Sequence, residues 1–192
     1  VTDRTRVSVH QHIVPPAYAA ALLERGIDNL TGSIFHAEMA YTSMRRNGVA
    51  AAVQSLSYPG IYFQPSPQIP DPQAFAVSLA REVNDFGLSD VVQRAIQPNP
   101  FGYFAVLPMM SAEDALAELR RALDPPGYNG RQADGIVLYS NFEGHYLGDK
   151  RFDAVYEELD RRKTTVFVHP VSPVRPAGTP AIPFWLLDFP FD

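Results

Sequence analysis

Short apolar segments alternate with helical patterns along most of this chain. Polar residues stand at the ends of the first, second, fourth and fifth segments, and a helical pattern follows each of the first four. This order favours a parallel sheet, because a helix must carry the chain back across one face before the next strand begins. The sequence therefore predicts an α/β fold with right-handed connections. The predicted strands cover 7–12, 49–56, 101–107, 135–139 and 164–169.

Capping and breaking residues bound the helical patterns. Pro16 opens the first predicted helix and Gly26 closes it, while the Ser111 segment resembles a capping box that opens the fourth. The second, third and fifth predicted helices cover 36–46, 73–92 and 149–162. No linker interrupts the chain before Pro170, so we expect 1–192 to form a single domain.

Composition excludes several classes of function. With 16 basic against 21 acidic residues, a net charge of −5 and no cluster of Lys or Arg, we expect no nucleic-acid partner and no membrane surface. The absence of cysteine excludes disulfides, thiolate metal sites and Cys nucleophiles, and it fits a cytoplasmic protein. The chain also lacks a phosphate-binding glycine loop, a nucleophile elbow and a dinucleotide fingerprint. A function in small-molecule chemistry, at a site of another kind, stays compatible with the composition.

Histidines end the first and the fifth predicted strand. His10 and His12 point to the same side of an extended segment because strand side chains alternate, and His169 is the last residue of strand five. An isolated H-x-H pair is more often incidental than functional. A third imidazole at the same edge of a parallel sheet favours a metal site, because three neutral imidazoles bind zinc or a similar ion and leave a position open.

Other polar residues near the strand ends are candidates for weaker roles. Ser57 and Asn141 follow strands two and four and are candidate substrate-binding residues, although loop Ser and Asn usually satisfy local turns. His36 on a helix and His145 in a glycine-bearing loop are interpreted as ordinary surface or loop residues. The sequence identifies no catalytic acid or base.

Five motifs in a consistent order resemble the amidohydrolase-related family that contains the aromatic acid decarboxylases. They extend over nearly the whole chain, and together they are far more specific than any one alone. They are His-Gln-His-Ile-Val-Pro-Pro-Ala-Tyr from residue 10, Arg-Glu-Val-Asn-Asp-Phe-Gly from 81, Phe-Gly-Tyr-Phe-Ala-Val-Leu-Pro from 101, Tyr-Ser-Asn from 139 with Tyr-Leu-Gly-Asp from 146, and Val-Phe-Val-His-Pro from 166.

The resemblance implies a metal-dependent (β/α)8 barrel, the TIM barrel, with His10, His12 and His169 as metal ligands. It implies zinc as the cofactor, with manganese as the alternative. The implied activity is that of a non-oxidative carboxy-lyase acting on a small aromatic or unsaturated carboxylic acid, whose oxygen atoms the ion holds. Two alternatives stay open: a hydrolase of amides, esters or lactones that uses the same ion, and a non-catalytic partial barrel that serves as a binding module.

This chain departs from the family pattern in two respects. Ser8 stands where the family usually has an acidic residue, and the sequence ends before the positions of a later family His and Asp. A complete barrel usually needs about 250 residues, whereas this chain has 192 and five predicted strands. We therefore expect an incomplete barrel with open edges, completed by the remainder of a longer chain or by a second copy in a homo-oligomer. The apolar stretch 183–191 should be covered in that assembly, with Trp185 shielded.

Overall fold

Five parallel strands lie in the main sheet in the same order as in the chain. The computed structural model describes residues 6–27 and 34–171, apart from 125, 127 and 129. Its main sheet has the order β1-β2-β3-β4-β7, and β5 and β6 form a small antiparallel hairpin. The predicted five-stranded parallel fold is confirmed, whereas the hairpin was not predicted. The strands are β1 (Arg6–His12), β2 (Val49–Ser55), β3 (Phe101–Val106), β4 (Gly135–Tyr139), β5 (Asn141–Phe142), β6 (His145–Tyr146) and β7 (Val166–His169).

Helices connect successive strands of the main sheet. No helix in the described ranges combines the length and the apolar character that crossing a bilayer requires. The helices are α1 (Pro16–Leu23), α2 (Ala37–Arg46), α3 (Pro72–Gly87), α4 (Asp90–Gln93), α5 (Ala112–Leu123) and α6 (Asp153–Arg162), the last preceded by a 3-10 turn at Lys150–Phe152. Ser111 caps α5 as predicted, since its Oγ accepts a hydrogen bond from the Asp114 amide at 3.2 Å.

The long helix predicted over 73–92 is wrong, because the segment forms α3 and the short α4. Two side chains beyond α3 bond to its final carbonyl groups. Ser89 Oγ donates to the Phe86 carbonyl at 2.6 Å, and Gln93 Nε2 donates to the Gly87 carbonyl at 2.8 Å. Such bonds satisfy carbonyls that would otherwise continue the helix, so the helix ends there.

The sheet curls until its first and last strands face each other. The His10 ring on β1 lies 5.2 Å from the Phe167 ring and 4.9 Å from the His169 ring on β7, measured between centroids. Phe167 also stacks on Phe104 of β3 at 6.0 Å. Side chains from strands at opposite edges therefore share one concave face, which is the geometry of part of a barrel.

A buried polar network joins the convex face of the sheet to two helices. Asn84 of α3 accepts hydrogen bonds from the Tyr103 hydroxyl at 2.8 Å and the Val106 amide at 2.9 Å. Its Nδ2 donates to the Val106 carbonyl at 3.0 Å and to Glu118 of α5 at 2.6 Å. Every polar atom of the Asn84 amide thus has a partner, which fixes α3 and α5 relative to β3.

Both edge strands expose apolar side chains, as the sequence predicted for an incomplete barrel. In the described part of the chain β1 pairs with β2 alone and β7 with β4 alone. Val7 and Val9 of β1 are 62% and 53% exposed, and Val168 of β7 is 47% exposed. The apolar stretch 183–191 with Trp185 lies outside the described residues, and the single domain over 1–192 stays a prediction.

Candidate metal centre

The structure brings His10, His12 and His169 together on the concave face of the sheet. The Nε2 atoms of His10 and His12 are 2.9 Å apart, and those of His12 and His169 are 3.3 Å apart. One ligand nitrogen from each ring lies within 4.8 Å of the other two. The convergence expected from the strand ends is therefore present in the structure.

The parallel register explains this convergence. His12 lies opposite Ser55 of β2, and His169 lies opposite Tyr139 of β4, so each His side chain points to the same face as its neighbour. His169 is buried, whereas His10 and His12 are exposed at the edge strand. Curling of the sheet then closes the distance between the two edges.

Two of the three nitrogen separations fit a single divalent ion. Zinc–imidazole bonds of about 2.0–2.1 Å place neighbouring ligand nitrogens about 2.9 Å apart at right angles and about 3.4 Å apart in a tetrahedron. The observed separations of 2.9 and 3.3 Å lie within this range. Three such donors leave at least one coordination position for another ligand.

A backbone contact sets the tautomer of His169. Its Nδ1 lies 2.7 Å from the Pro170 carbonyl oxygen. A carbonyl oxygen can only accept a hydrogen bond, so Nδ1 carries the proton and the lone pair of neutral imidazole lies on Nε2. This nitrogen is the one that faces His12, and a fixed tautomer of this kind is usual for metal-binding His.

Partial removal from water favours the neutral form of two of these rings. Desolvation lowers the pKa of His169 to about 4; the bond to Pro170 opposes this shift, and charge on His10 and His12 adds to it. Desolvation also lowers the pKa of His12, and charge on His10 lowers it further. Neutral imidazole is the form that binds a metal, so His12 and His169 can bind an ion near pH 7 without first losing a proton.

One of the two predicted substrate-binding residues contacts this group, and the other lies in the hairpin. Ser57 Oγ is 3.4 Å from His169 Nε2. Asn141 is buried, and its Oδ1 accepts a hydrogen bond from the Gly144 amide at 3.2 Å. Its Nδ2 has no hydrogen-bond partner among the described residues. Ser57 therefore touches the histidine group directly, while Asn141 carries a buried donor that has no partner among the described residues.

A small aromatic cavity, which we call the rim cavity, has Tyr139 as one of its walls, and no histidine lines it. Its volume is about 200 Å³, and the Tyr139 ring that forms one wall lies 6.3 Å from the His169 ring. Tyr62 is held in another wall by its hydroxyl, which donates to the Leu107 carbonyl at 2.8 Å. The rim cavity is lined by Tyr58, Pro59, Tyr62, Gln64, Tyr139, Asn141, Glu143 and Val171.

Sequence reasoning did not single out Tyr62, Glu143 or Ser55. The first two come from the β2–α3 loop and the hairpin, and the unusual length of that loop was the signal that could have identified Tyr62. Ser55 is fully buried beside His12, and its Oγ has no hydrogen-bond partner within the described ranges. No sequence pattern predicts such an unpaired hydroxyl.

The two remaining histidines are outside the group, as the sequence indicated. His36 precedes α2 at its amino end. His145 lies in the hairpin, where its Nδ1 is 3.2 Å from Asp149 Oδ2. Neither belongs to the three-histidine group.

Several known proteins are similar to this chain in sequence. Decarboxylase macB of Penicillium terrestre is 32% identical over 201 residues, which cover 97% of this chain and 55% of that protein. The 6-methylsalicylic acid decarboxylase acuB of Aspergillus aculeatus is 32% identical over 193 residues, which cover 97% of this chain and 54% of that protein. The chain thus spans about half the length of these relatives.

Solved structures show the same fold. A crystal structure described as amidohydrolase II matches with a TM-score of 0.79 and 29% identity, covering 96% of this chain and 57% of that one. Another match is a dihydroxybenzoic acid decarboxylase from Polaromonas sp. JS666, solved with manganese and the inhibitor 2-nitroresorcinol. Its TM-score is 0.66 at 18% identity, and the match covers 91% of this chain and 51% of that one. The second likeness shows the fold alone.

The family model described as amidohydrolase matches residues 7–189, which include all three histidines of the site. The curled parallel sheet, the histidines at its carboxyl edge and this match agree, and the chain belongs to the amidohydrolase family.

Proposed function

We propose that this chain carries the metal site of a non-oxidative carboxy-lyase that acts on a small aromatic carboxylic acid. The observation that carries the proposal is the convergence of three imidazoles. An aromatic cavity whose Tyr139 wall lies 6.3 Å from the His169 ring supports it. The relatives named decarboxylases, at 32% identity over 97% of this chain, support the same reaction class.

The ion proposed for the site is zinc, with manganese as the alternative, and His10, His12 and His169 would hold it. When bound, the ion acts as a Lewis acid that orients the oxygen atoms of the substrate. His169 supplies Nε2 because Pro170 holds its Nδ1 proton. His10 and His12 supply a pair of nitrogens from one strand, which fixes their relative position.

The rim cavity would bind the aromatic ring. Its volume of about 200 Å³ and its tyrosine walls suit one ring rather than two fused rings. Asn141 Nδ2 would donate to an oxygen of the substrate, since a buried amide donor without a partner gains most from one. The Ser57 hydroxyl, 3.4 Å from His169 Nε2, would bind a second oxygen at the metal.

Decarboxylation breaks the bond between the ring carbon and the carboxylate carbon, and the ring carbon takes up a proton as CO2 leaves. The proton donor stays unassigned. Exclusion of water from the concave face should assist the reaction, because electrostatic interactions strengthen in a dry site. A cytoplasmic location stays a prediction. So does the covering of the open edges by a second copy or by further chain.

Release of CO2 tests this proposal. The chain would be loaded with zinc or manganese and incubated with salicylate and other monocyclic hydroxybenzoates, with metal-free chain as the control. We expect metal-dependent CO2 release from at least one acid. Metal-dependent cleavage of aryl esters or lactones without CO2 release would instead establish the hydrolytic alternative, and binding of the acids without any turnover would establish the binding module.

A further inference from the structure

The carboxyl end of β7 is tied to β4 by a serine that lies outside the histidine group. The Ser140 amide donates to the His169 carbonyl at 3.0 Å, which extends the β4–β7 ladder by one residue. The Ser140 Oγ accepts a hydrogen bond from the Val171 amide at 3.2 Å. Ser140 therefore holds the chain on both sides of Pro170.

Proline makes this side-chain bond necessary. Pro170 has no backbone N–H, so the regular ladder cannot hold the chain at that residue. The next available donor is the Val171 amide, and the Ser140 side chain accepts from it. The His169 carbonyl is bound before Pro170, and the Val171 amide is bound after it. These two bonds fix the orientation of the peptide group between Pro170 and Val171.

The fixed peptide aims its carbonyl at His169. The Pro170 oxygen lies 2.7 Å from His169 Nδ1, and this contact places the lone pair on Nε2. His169 Nε2 in turn faces His12 Nε2 at 3.3 Å. The Ser140 hydroxyl thus acts on the Val171 amide, and the Pro170 carbonyl of the same peptide group acts on His169 Nδ1. The other ring nitrogen, His169 Nε2, faces the metal position.

We infer that Ser140 is a positioning residue for the metal centre, which acts by holding the Pro170 carbonyl against His169 Nδ1. The inference rests on the proposed function, because it assigns Ser140 a role toward the ion that His169 would bind. Ser140 is buried, and no ligand contact is required of it. Its effect on the metal is exerted through the tautomer and the orientation of one imidazole ring.

The test replaces the hydroxyl and measures zinc affinity by competition with a chelator. Loss of a ligand's own hydrogen-bond partner typically weakens metal binding about 10- to 100-fold. Ser140 acts one contact further out, through the Pro170 carbonyl, so we expect Ser140→Ala to weaken zinc binding toward the lower end of that range, about 10-fold. Ser66→Ala is the matched control, because Ser66 Oγ also accepts a backbone amide, that of Ile69 at 3.1 Å, in a loop bond of the same kind. The control should bind zinc as the wild type does.

A second readout follows the tautomer without metal. Nitrogen-15 NMR near pH 7 should show His169 protonated on Nδ1 in the wild type and a mixture of both tautomers in Ser140→Ala. Wild-type zinc affinity together with an unchanged tautomer in Ser140→Ala would overturn the inference, as would an equal loss of affinity in Ser66→Ala. A wild-type chain that takes up neither zinc nor manganese would refute the proposed function, and the tautomer comparison would still decide the role of Ser140.

Discussion

The Nε2 atoms of His12 and His169 lie 3.3 Å apart, although 157 positions separate the two residues in the chain. They come from the first and the last strand of the main sheet, which meet because the sheet curls. A flat sheet of the same strand order would keep these side chains four strand spacings apart, about 19 Å. The candidate site is therefore a product of sheet curvature.

Removal of the β1 ligand pair should abolish metal uptake. In His10→Ala with His12→Ala, a single imidazole of the group remains, which is too few for stable zinc binding. Both residues are exposed, so the helical content should stay close to that of the wild type. Metal analysis after gel filtration measures the uptake, and circular dichroism measures the helical content.

His36→Ala is the matched control for that double variant. His36 lies at the start of α2, outside the three-histidine group, and its side chain forms no capping hydrogen bond there. It should retain full zinc stoichiometry. Full uptake by the His10→Ala and His12→Ala variant would show that the ligand assignment is wrong.

Exchange of the Asn141 amide for a carboxylate should weaken substrate binding. Asn141→Asp keeps the oxygen that accepts from the Gly144 amide, but it replaces the unpartnered Nδ2 donor by a negative charge. Loss of a hydrogen bond to a charged group amounts to about 1.5–3 kcal/mol, so salicylate affinity should fall roughly 10- to 100-fold. Calorimetric titration of the zinc-loaded chain measures it.

Asn99→Asp is the control for the Asn141 substitution. Asn99 Oδ1 accepts from the Phe101 amide at 3.0 Å, a similar local bond, but it precedes β3 at the opposite end of the sheet. Its salicylate affinity should not change. Equal losses in the two variants would indicate a general charge effect and would remove the role proposed for Asn141.

Truncation of Asn84 should destabilise the fold. Asn84→Ala removes four hydrogen bonds and leaves the Tyr103 hydroxyl and the Val106 backbone groups buried without their partner. We expect the free energy of unfolding to fall by about 2–4 kcal/mol. Denaturant titration measures this free energy. The control is Asn47→Ala at an exposed position, which should change the free energy of unfolding by less than about 0.5 kcal/mol. A loss in Asn84→Ala as small as that would show that the network does not stabilise the fold.

Acid should remove the contribution of Glu158 to stability. Hydrogen bonds from Arg161 and Arg162 lower the pKa of Glu158 from 4.5 to about 2. A depressed folded-state pKa means that the stabilisation is fully present above pH 4.5 and is lost as the pH falls from 4.5 toward 2. The difference in free energy of unfolding between the wild type and Glu158→Gln should therefore shrink across this window.

Acid titrations of unfolding check the Glu158 prediction. Glu157→Gln, a substitution at the neighbouring position of α6, is the control and should follow the wild-type curve. A difference between the wild type and Glu158→Gln that stays constant from pH 6 to pH 2 would contradict the prediction.

The sequence predicted the strands, and the edge of the sheet at which the histidines lie, because both follow from local rules. Apolar runs place β1–β4 and β7 within a few residues of their observed bounds. Side-chain alternation puts His10 and His12 on one face, and the parallel order puts His169 at the same edge. These inferences need no knowledge of distant contacts.

The remaining features depend on contacts that sequence periodicity does not contain. The break after Gly87 comes from bonds by Ser89 and Gln93, and a helical pattern through 92 cannot show them. Tyr62 reaches the rim cavity through the path of a long loop. The bond between Pro170 and His169 depends on a peptide orientation that Ser140 sets from another strand.

X-ray absorption spectroscopy on the zinc-loaded chain tests the central claim most directly. The account predicts three imidazole nitrogens at about 2.0–2.1 Å from the zinc in the wild type and two in His169→Ala. Identical zinc spectra for the wild type and His169→Ala would contradict it, because β1 and β7 would then not share one ion.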